Sequence, residues 1–179
     1  GLVALEPAPG VNTNGFVITQ ETSEELGITT LSDLAEKGAD LRLGAPSDCE
    51  TNAFCLEGLE EVYDLDLSTN FVALDDGRPA ALQGGEIDVA VLFTTDGIIE
   101  SENLVLLEDD QNMLAADNIV PVTTTELVDA YGDDFVDLAD RISASLDTAT
   151  LTDLNKRYDV DREDVSTIVD DFLTEKPFP

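Results

Sequence analysis

The chain has 179 residues, 42% of them apolar, enough to bury a real core as one compact domain or two small lobes. Against 40 acidic residues stand 8 basic ones, a formal charge of −32 that repels phosphate backbones and anionic lipid and so excludes nucleic acid and acidic membrane surfaces as partners. Histidine is absent, which removes imidazole acid/base chemistry, His-containing triads and the commonest transition-metal ligand. An Asp-rich, Lys-poor surface also keeps a protein soluble in high salt, where ions screen the self-repulsion. No apolar run is long enough to span a bilayer, and no basic stretch followed by an apolar one marks a secretory signal. Gly1-Leu2-Val3-Ala4-Leu5 reads as a strand already in progress, so the numbering is expected to begin inside a longer parent protein.

In chain order, short β-rich apolar runs alternate with helical patterns, the signature of βα repeats around a largely parallel or mixed sheet. Strands are predicted at Gly1 to Leu5, Gly15 to Thr19, Leu41 to Ala45, Asn70 to Leu74, Ile87 to Phe93, Leu104 to Leu107 and Ile119 to Thr123. Between them, Ser32 with Ala35 and Glu36 opens a helix after Thr29-Thr30. Phe54, Leu56, Leu59, Val62 and Tyr63 form the apolar stripe of a second, and a third, Pro79 to Gln83, stops at Gly84-Gly85. Past Thr125 the pattern is helical throughout, and Phe135, Leu138, Ala139, Ile142 and Leu146 follow one helical face. Thr148 or Thr150 caps the next helix, with Leu151, Leu154 and Tyr158, and the last carries Val165, Ile168, Val169, Phe172 and Leu173. These amphipathic helices need apolar partners that the preceding strands, already supplied with helices, do not offer, so their faces are expected to stand exposed.

Cys49 and Cys55 fit neither the C-x-x-C redox motif nor a paired zinc knuckle. Close together at a strand-to-helix junction, they read as a local disulfide that stiffens a loop at the carboxyl end of a strand, where open α/β sheets place ligands; the alternative is two unrelated buried thiols. The disulfide implies an exported, oxidising location. Acidic pairs at Asp75-Asp76, Asp109-Asp110, Asp133-Asp134 and Asp170-Asp171, and Asp159-Val160-Asp161, supply no calcium loop and read as solvated faces, with Asp75-Asp76-Gly77 a turn. No metal site is expected. Phe93-Thr94-Thr95-Asp96-Gly97 follows the most apolar strand, so its hydroxyls and N–H groups emerge at the sheet's carboxyl edge, to hold a small ligand or to cap a helix.

Taken together in order, certain segments resemble the compatible-solute receptors of ABC importers, which bind glycine betaine, choline and related osmoprotectants. They are Glu6-Pro7-Ala8-Pro9 with Asn12-Thr13, the Cys49 to Cys55 loop with Leu56-Glu57-Gly58-Leu59, Gly84-Gly85-Glu86-Ile87-Asp88-Val89 with Thr94-Thr95-Asp96-Gly97, and Leu106-Leu107-Glu108-Asp109-Asp110 with Pro121-Val122. The resemblance implies an α/β fold of the type II periplasmic-binding-protein kind, with two lobes that close on the solute about crossing strands. It implies that residues 1–6 are a crossing strand and 7–117 the second lobe, while 118–179 return to complete the carboxyl-terminal helical part of the first lobe, whose amino-terminal half is absent.

The same resemblance implies an aromatic cage for a quaternary ammonium and an Arg for a betaine carboxylate. Position by position, the family's Tyr after Asn12-Thr13 falls on Asn14, the Arg of the Cys loop on Asn52, the aromatic before Thr-Thr-Asp-Gly on Phe93, and the late Tyr near Asp117 or Asn118. The implied ligand residues are Asn12, Asn14, Asn52, Phe93, Thr94 and Asp117. Because one cage aromatic survives and the clamp is a neutral amide, ordinary betaine recognition is in question; Asp117 compensates a cation by charge, and Asn14 and Asn52 hydrogen-bond hydroxyls or amides. The implied protein is a periplasmic or extracellular, peripheral or lipid-anchored receptor that hands a solute to an ABC permease, with neither cofactor nor catalysis. A small exported α/β enzyme and a ligand-sensing regulatory domain are the alternatives.

Overall fold

A computed structural model describes residues 1–178. The chain opens on a short strand, β1 (Leu2–Ala4), and then enters the unit Thr13–Ala115. There β2 (Asn14–Thr19) buries Phe16, Val17 and Ile18 completely. Thr19 ends it and caps α1 (Gln20–Leu26) by accepting the Thr22 N–H at 3.1 Å. A capping box opens α2 (Leu31–Lys37): the Thr30 hydroxyl accepts from the Asp33 N–H while Asp33 Oδ2 accepts from the Thr30 N–H. β3 (Leu43–Ala45), α3 (Leu56–Tyr63), β4 (Phe71–Ala73), α4 (Arg78–Gln83), β5 (Val89–Phe93), α5 (Ile98–Ser101) and β6 (Leu104–Leu106) follow.

The five strands stand in the order β4-β3-β5-β2-β6, with β3 parallel to β4 and β5 and β2 antiparallel to both β5 and β6. Helices cover both faces, so the strands are apolar on both sides. Phe16, Ile18, Leu43, Val89 and Val91 face α2 and α3, packing with Leu31, Leu34 and Leu59, whereas Val17, Ala90 and Leu92 face the opposite layer with Leu82 and Ile87. The expected stripe of α3 holds at Leu56, Leu59 and Tyr63, which are buried, but Phe54 and Val62 are exposed. Phe54 precedes the helix rather than lying on it, which removes it from the helical period.

Asp109 is no solvated residue. It accepts from the Tyr63 hydroxyl and from the Met113 and Leu114 N–H groups at 3.0 and 2.7 Å, and the Tyr63 oxygen accepts from the Gln111 N–H at 2.9 Å. This docks segment 109–114 onto α3, and burial with the Asp109 bond pushes the Tyr63 phenol well above its ordinary pKa. At the other end of the sheet Arg42 donates to Asp88 through Nε and Nη2, both at 2.8 Å, and through its backbone N–H at 2.9 Å. The Arg42 bond holds the Asp88 carboxyl below the usual carboxylate range.

The second unit comprises Gly1–Asn12 and the residues from Ala116 onward. β1 pairs antiparallel with β7 (Val122–Thr124), and four helices follow among the described residues: α6 (Thr125–Tyr131), α7 (Asp133–Ala144), α8 (Thr148–Asp159) and α9 (Val165–Glu175). The strand expected over Ile119 to Thr123 begins only at Val122, because Pro121 has no N–H to continue a ladder; its carbonyl accepts instead from Leu5. Residues 7–12 belong here: Ala8, Gly10 and Asn12 N–H groups donate to the Ile119, Leu146 and Asp117 carbonyls, and Val11 donates to the Thr148 hydroxyl. The cap of α8 is Asp147, which accepts the Thr150 N–H at 2.7 Å, rather than Thr148 or Thr150. Arg157 clips α8 to α9 through Glu163 and Asp171 at 2.6 and 2.7 Å. Ile168 is buried in this pairing, while Tyr158, Val165, Val169 and Leu173 stay exposed, as the helical pattern led us to expect.

Two outcomes follow. Raising salt from about 0.1 M to about 1 M cuts the Debye length from about 10 Å to about 3 Å, so the thermal midpoint should rise with NaCl; a midpoint independent of salt would show that the charge surplus does not strain the fold. For Asp88, a lowered folded pKa means that its contribution is present above the ordinary value of 3.8 and is lost as pH falls through the folded value. Asp88→Asn should therefore cost about 1 kcal/mol at neutral pH, Arg42 being partly solvated, and progressively less as pH falls below 3.8, as read by urea unfolding across that range.

Candidate functional site

The carboxyl ends of parallel β3, β4 and β5 share one edge of the sheet, where open α/β sheets place ligands. Beyond β3 a 3₁₀ turn, Ser47–Thr51, leads into α3, and a disulfide joins Cys49 to Cys55 with their Cα atoms 5.2 Å apart and both residues buried. The expected local bridge is thus present. Gly58 lets the loop lie close to α3: a Cβ there would strike the Ala53 carbonyl and stand 2.7 Å from the Met113 sulfur. Inside the bridged loop, Asn52 donates its N–H to the Cys49 carbonyl at 3.3 Å, accepts from the Cys55 N–H at 2.9 Å, and accepts from the Phe54 N–H through Oδ1 at 2.8 Å. Its Nδ2 has no partner among the described residues.

Asn14 opens β2 directly opposite Phe93, the last residue of β5. Opposed residues point to the same face, and strand alternation makes it the face of Phe16, Ile18, Val89 and Val91, on which the disulfide and α3 lie. Asn14 Nδ2 donates to the Phe54 carbonyl at 3.2 Å, so Phe93, Asn14, Phe54 and Asn52 form a continuous series of neighbours at one edge. Phe93 is 49% and Phe54 41% exposed, an unusual state for two rings this close to a core.

Thr94 belongs to the other face. Its methyl group is 3.3 Å from where a Cβ on Gly15 would stand, and its hydroxyl accepts the Thr13 N–H at 3.1 Å, extending the pairing of β2 and β5. Asp96 accepts the Phe93 N–H at 2.9 Å, and the N-cap of α5 is Gly97 without a side-chain cap, so Asp96 braces the turn beneath Phe93 instead of capping the helix. Asn12 and Asp117 lie in the other unit, joined by the Asn12 N–H and the Asp117 carbonyl at 3.0 Å. Phe54 is the neighbour that sequence periodicity missed; its place inside the bridged loop was the available signal.

The charges of this unit are distributed unevenly. Lys37 donates to the Gly27 carbonyl, and Arg42 is held by Asp88 at the amino ends of β3 and β5. Arg78 reaches the carboxyl edge, but its Nε donates to the Val91 carbonyl at 2.7 Å and its Nη1 to the Leu74 and Asp75 carbonyls. Around the edge stand Asp48 and Asp75, the latter accepting the Ser47 N–H at 3.3 Å. Among the described residues no three carboxylates or thiols gather to hold a metal. The arrangement offers ring faces, neutral amides and negative potential, which suits binding of an organic cation rather than covalent chemistry.

Fold and edge together define an α/β protein of the type II periplasmic-binding-protein class, whose members have a two-lobe fold. Residues 1–175 match the family of substrate-binding domains of ABC-type glycine betaine transport systems, and the chain belongs to that family. It is 30% identical to the glycine-betaine-binding protein of Pseudomonas aeruginosa, over 98% of this chain and 60% of that protein. To the glycine betaine-binding protein YehZ of Escherichia coli it is 27% identical, again over 98% of this chain and 60% of the relative. A crystal structure described as a glycine betaine/carnitine/choline ABC transporter superposes with a TM-score of 0.80 at 26% identity, covering 99% of this chain and 64% of that one. The chain therefore spans 60% of the length of these curated relatives.

The bridge should matter to the edge as well as to stability. Replacing both cysteines by serine removes a short closed loop, which should cost about 2 kcal/mol in denaturant unfolding. It should also make the amide protons of Asn52 and Phe54 exchange faster than those of β5; unchanged exchange in the loop would show that Gly58 packing alone holds it.

Proposed function

We propose that the chain is the solute-binding part of an ABC importer receptor that captures a compatible solute of the glycine betaine or choline type and delivers it to the permease. The observation that carries this is the pair of exposed rings, Phe54 and Phe93, hydrogen-bonded into one edge with Asn14 and Asn52. Ring faces attract a cation that has no hydrogen to donate, and two rings already half out of water lose little on burying it. Membership of the family of glycine betaine substrate-binding domains supports the reading, and so do the names of the relatives.

In this reading the crossing segments of a hinge lie within residues 1–12 and at the return from residue 116, residues 13–115 are a solute-closing lobe rather than 7–117, and the remainder completes the partner lobe. Asn12, Thr94 and Asp117 then contribute at the mouth: Thr94 anchors the end of the β2–β5 pairing that presents Phe93 by accepting the Thr13 N–H, and Asp117 acts by its charge. Affinity arises from lobe closure on a desolvated solute, and transport from docking of the closed form on the permease; the receptor itself performs no reaction. The buried disulfide supports a periplasmic or extracellular location, with attachment to the membrane surface through a lipid or through the permease.

Calorimetric titration of the whole protein that carries this sequence, with choline and with glycine betaine, tests the reading. At least one should bind, and Phe93→Ala should weaken it roughly tenfold, the loss of one desolvated cation–π contact. Failure of both solutes to bind, or an unchanged affinity in Phe93→Ala, would overturn it.

A further inference from the structure

Resting on that receptor reading, we propose that residues 5–12 and 117–121 form one rigid stem, locked by Asn118 and Thr148, and that the movement on which solute capture depends is confined to the links 12–13 and 115–116. The sequence stiffens this stretch before any tertiary contact does: Pro7 and Pro9 fix their own φ and hold Glu6 and Ala8 extended, and Pro121 restrains the returning strand in the same way. The Leu5, Ala8 and Asn12 N–H groups then donate to the Pro121, Ile119 and Asp117 carbonyls at 2.9, 2.8 and 3.0 Å. Asn118 Nδ2 bridges the two strands from the side, donating to the Ala8 and Gly10 carbonyls at 3.0 and 3.3 Å. The helices α7 and α8 satisfy further backbone groups. Asp140 accepts the Glu6 N–H at 3.1 Å, buried Ser143 donates to the Glu6 carbonyl at 2.9 Å, and the Thr148 hydroxyl accepts the Val11 N–H at 3.0 Å. A Cβ on Gly10 would stand 2.5 Å from the Leu146 carbonyl oxygen, so the stem is wedged against the end of α7.

All of these groups belong to one unit, and the partners of the backbone change abruptly at its border. The Asn12 N–H is held by the Asp117 carbonyl, whereas the next one, of Thr13, is held by the Thr94 hydroxyl of the five-stranded unit. On the return, Asp109 holds the Leu114 N–H and Asn12 holds the Asp117 carbonyl, while the N–H groups of Ala115 and Ala116 between them have no partner among the described residues. Rotation at these two links breaks none of these bonds, and rotation inside the stem breaks several, so the chain bends at the links. Asn118 and Thr148 are thereby positioning residues, acting through the chain rather than on the solute.

The experiment uses the whole protein that carries this sequence. Without solute, Asn118→Ala and Thr148→Val should each speed amide exchange at Ala8 and Asn12 roughly tenfold, although the acceptors of those two N–H groups are untouched, while the β5 amides stay protected. Thr148→Ser, which keeps the hydroxyl, should leave the exchange slow. In calorimetry with choline and with glycine betaine, the two loosened variants should bind roughly threefold more weakly, because a loosened stem has more conformations to lose on closure, and Thr148→Ser should bind as the parent does. Should Asn118→Ala fail to fold, the two Thr148 variants carry the same test. Unmoved exchange at Ala8 and Asn12 would overturn the stem, and faster exchange with unchanged affinity would overturn its part in capture; both leave the receptor reading intact. Binding of neither solute by the parent would overturn the receptor reading itself, and with it the link between stem and capture.

Discussion

The antiparallel pairing of β2 with β5 is the constraint on which the rest of the molecule depends. β2 sits between β5 and β6 with Phe16, Val17 and Ile18 all removed from water, so both of its faces are committed. A slip of one residue would move Phe16 and Ile18 into the space of Val17 and place an amide or a threonine in the core. That prohibition fixes Asn14 opposite Phe93, and therefore fixes which face of the sheet the ring occupies. The functional edge inherits its geometry from a register enforced several residues away, in the most buried part of the sheet.

The acidic surplus is less idle than its bulk suggests. Asp33, Asp147 and Asp164 cap helices, and each is held below the usual carboxylate range by the N–H and hydroxyl groups that it accepts from. Asp109 gathers donors from Tyr63 and from the backbone of residues 113 and 114, and Asp96 braces Phe93. With so few cations available, backbone N–H groups take over the role that lysines play in a charge-balanced protein. Of the three cations of Thr13–Ala115, Lys37 donates to a carbonyl, Arg42 is paired with Asp88, and Arg78 alone reaches the edge that carries the rings, its Nε and Nη1 donating to backbone carbonyls.

Much of this was legible in the sequence, and the failures share a cause. The five-stranded sheet announces itself because its strands are apolar on both faces and bounded by Gly, Pro and Asp signals, and the Cys spacing at a strand-to-helix junction marks the bridge. Helix period, by contrast, cannot tell Phe54 from Leu56: both are apolar and adjacent to one stripe, and only the bridged loop that holds residue 54 off the helix separates them. Thr94 and Asp96 were similarly ambiguous, since a hydroxyl or a carboxylate after a strand can cap, brace or bind, and the choice depends on which N–H groups the turn turns inward. Asp109 misled for the reverse reason: in a chain with this many carboxylates, composition argues for a solvated face, while its acceptance of three donors is a tertiary fact.

Two rings standing half in water next to a closed core need an explanation in free energy, because phenylalanine is ordinarily among the more buried residues. Val91 and Cys55, the chain neighbours of these rings, are already part of the buried core, and the Cys49–Cys55 disulfide and the close approach of Gly58 to the Ala53 carbonyl tie the loop to α3. Rigid backbone therefore holds the rings out, and the apolar area that folding could not bury is available to a solute at about 25 cal/mol per Å² removed from water. Such a surface binds without first paying to reorganise, since both ring positions are set by hydrogen bonds that exist before any ligand arrives. The same rigidity means that selectivity at this edge must come from charge and donor placement rather than from a loop adapting to its guest.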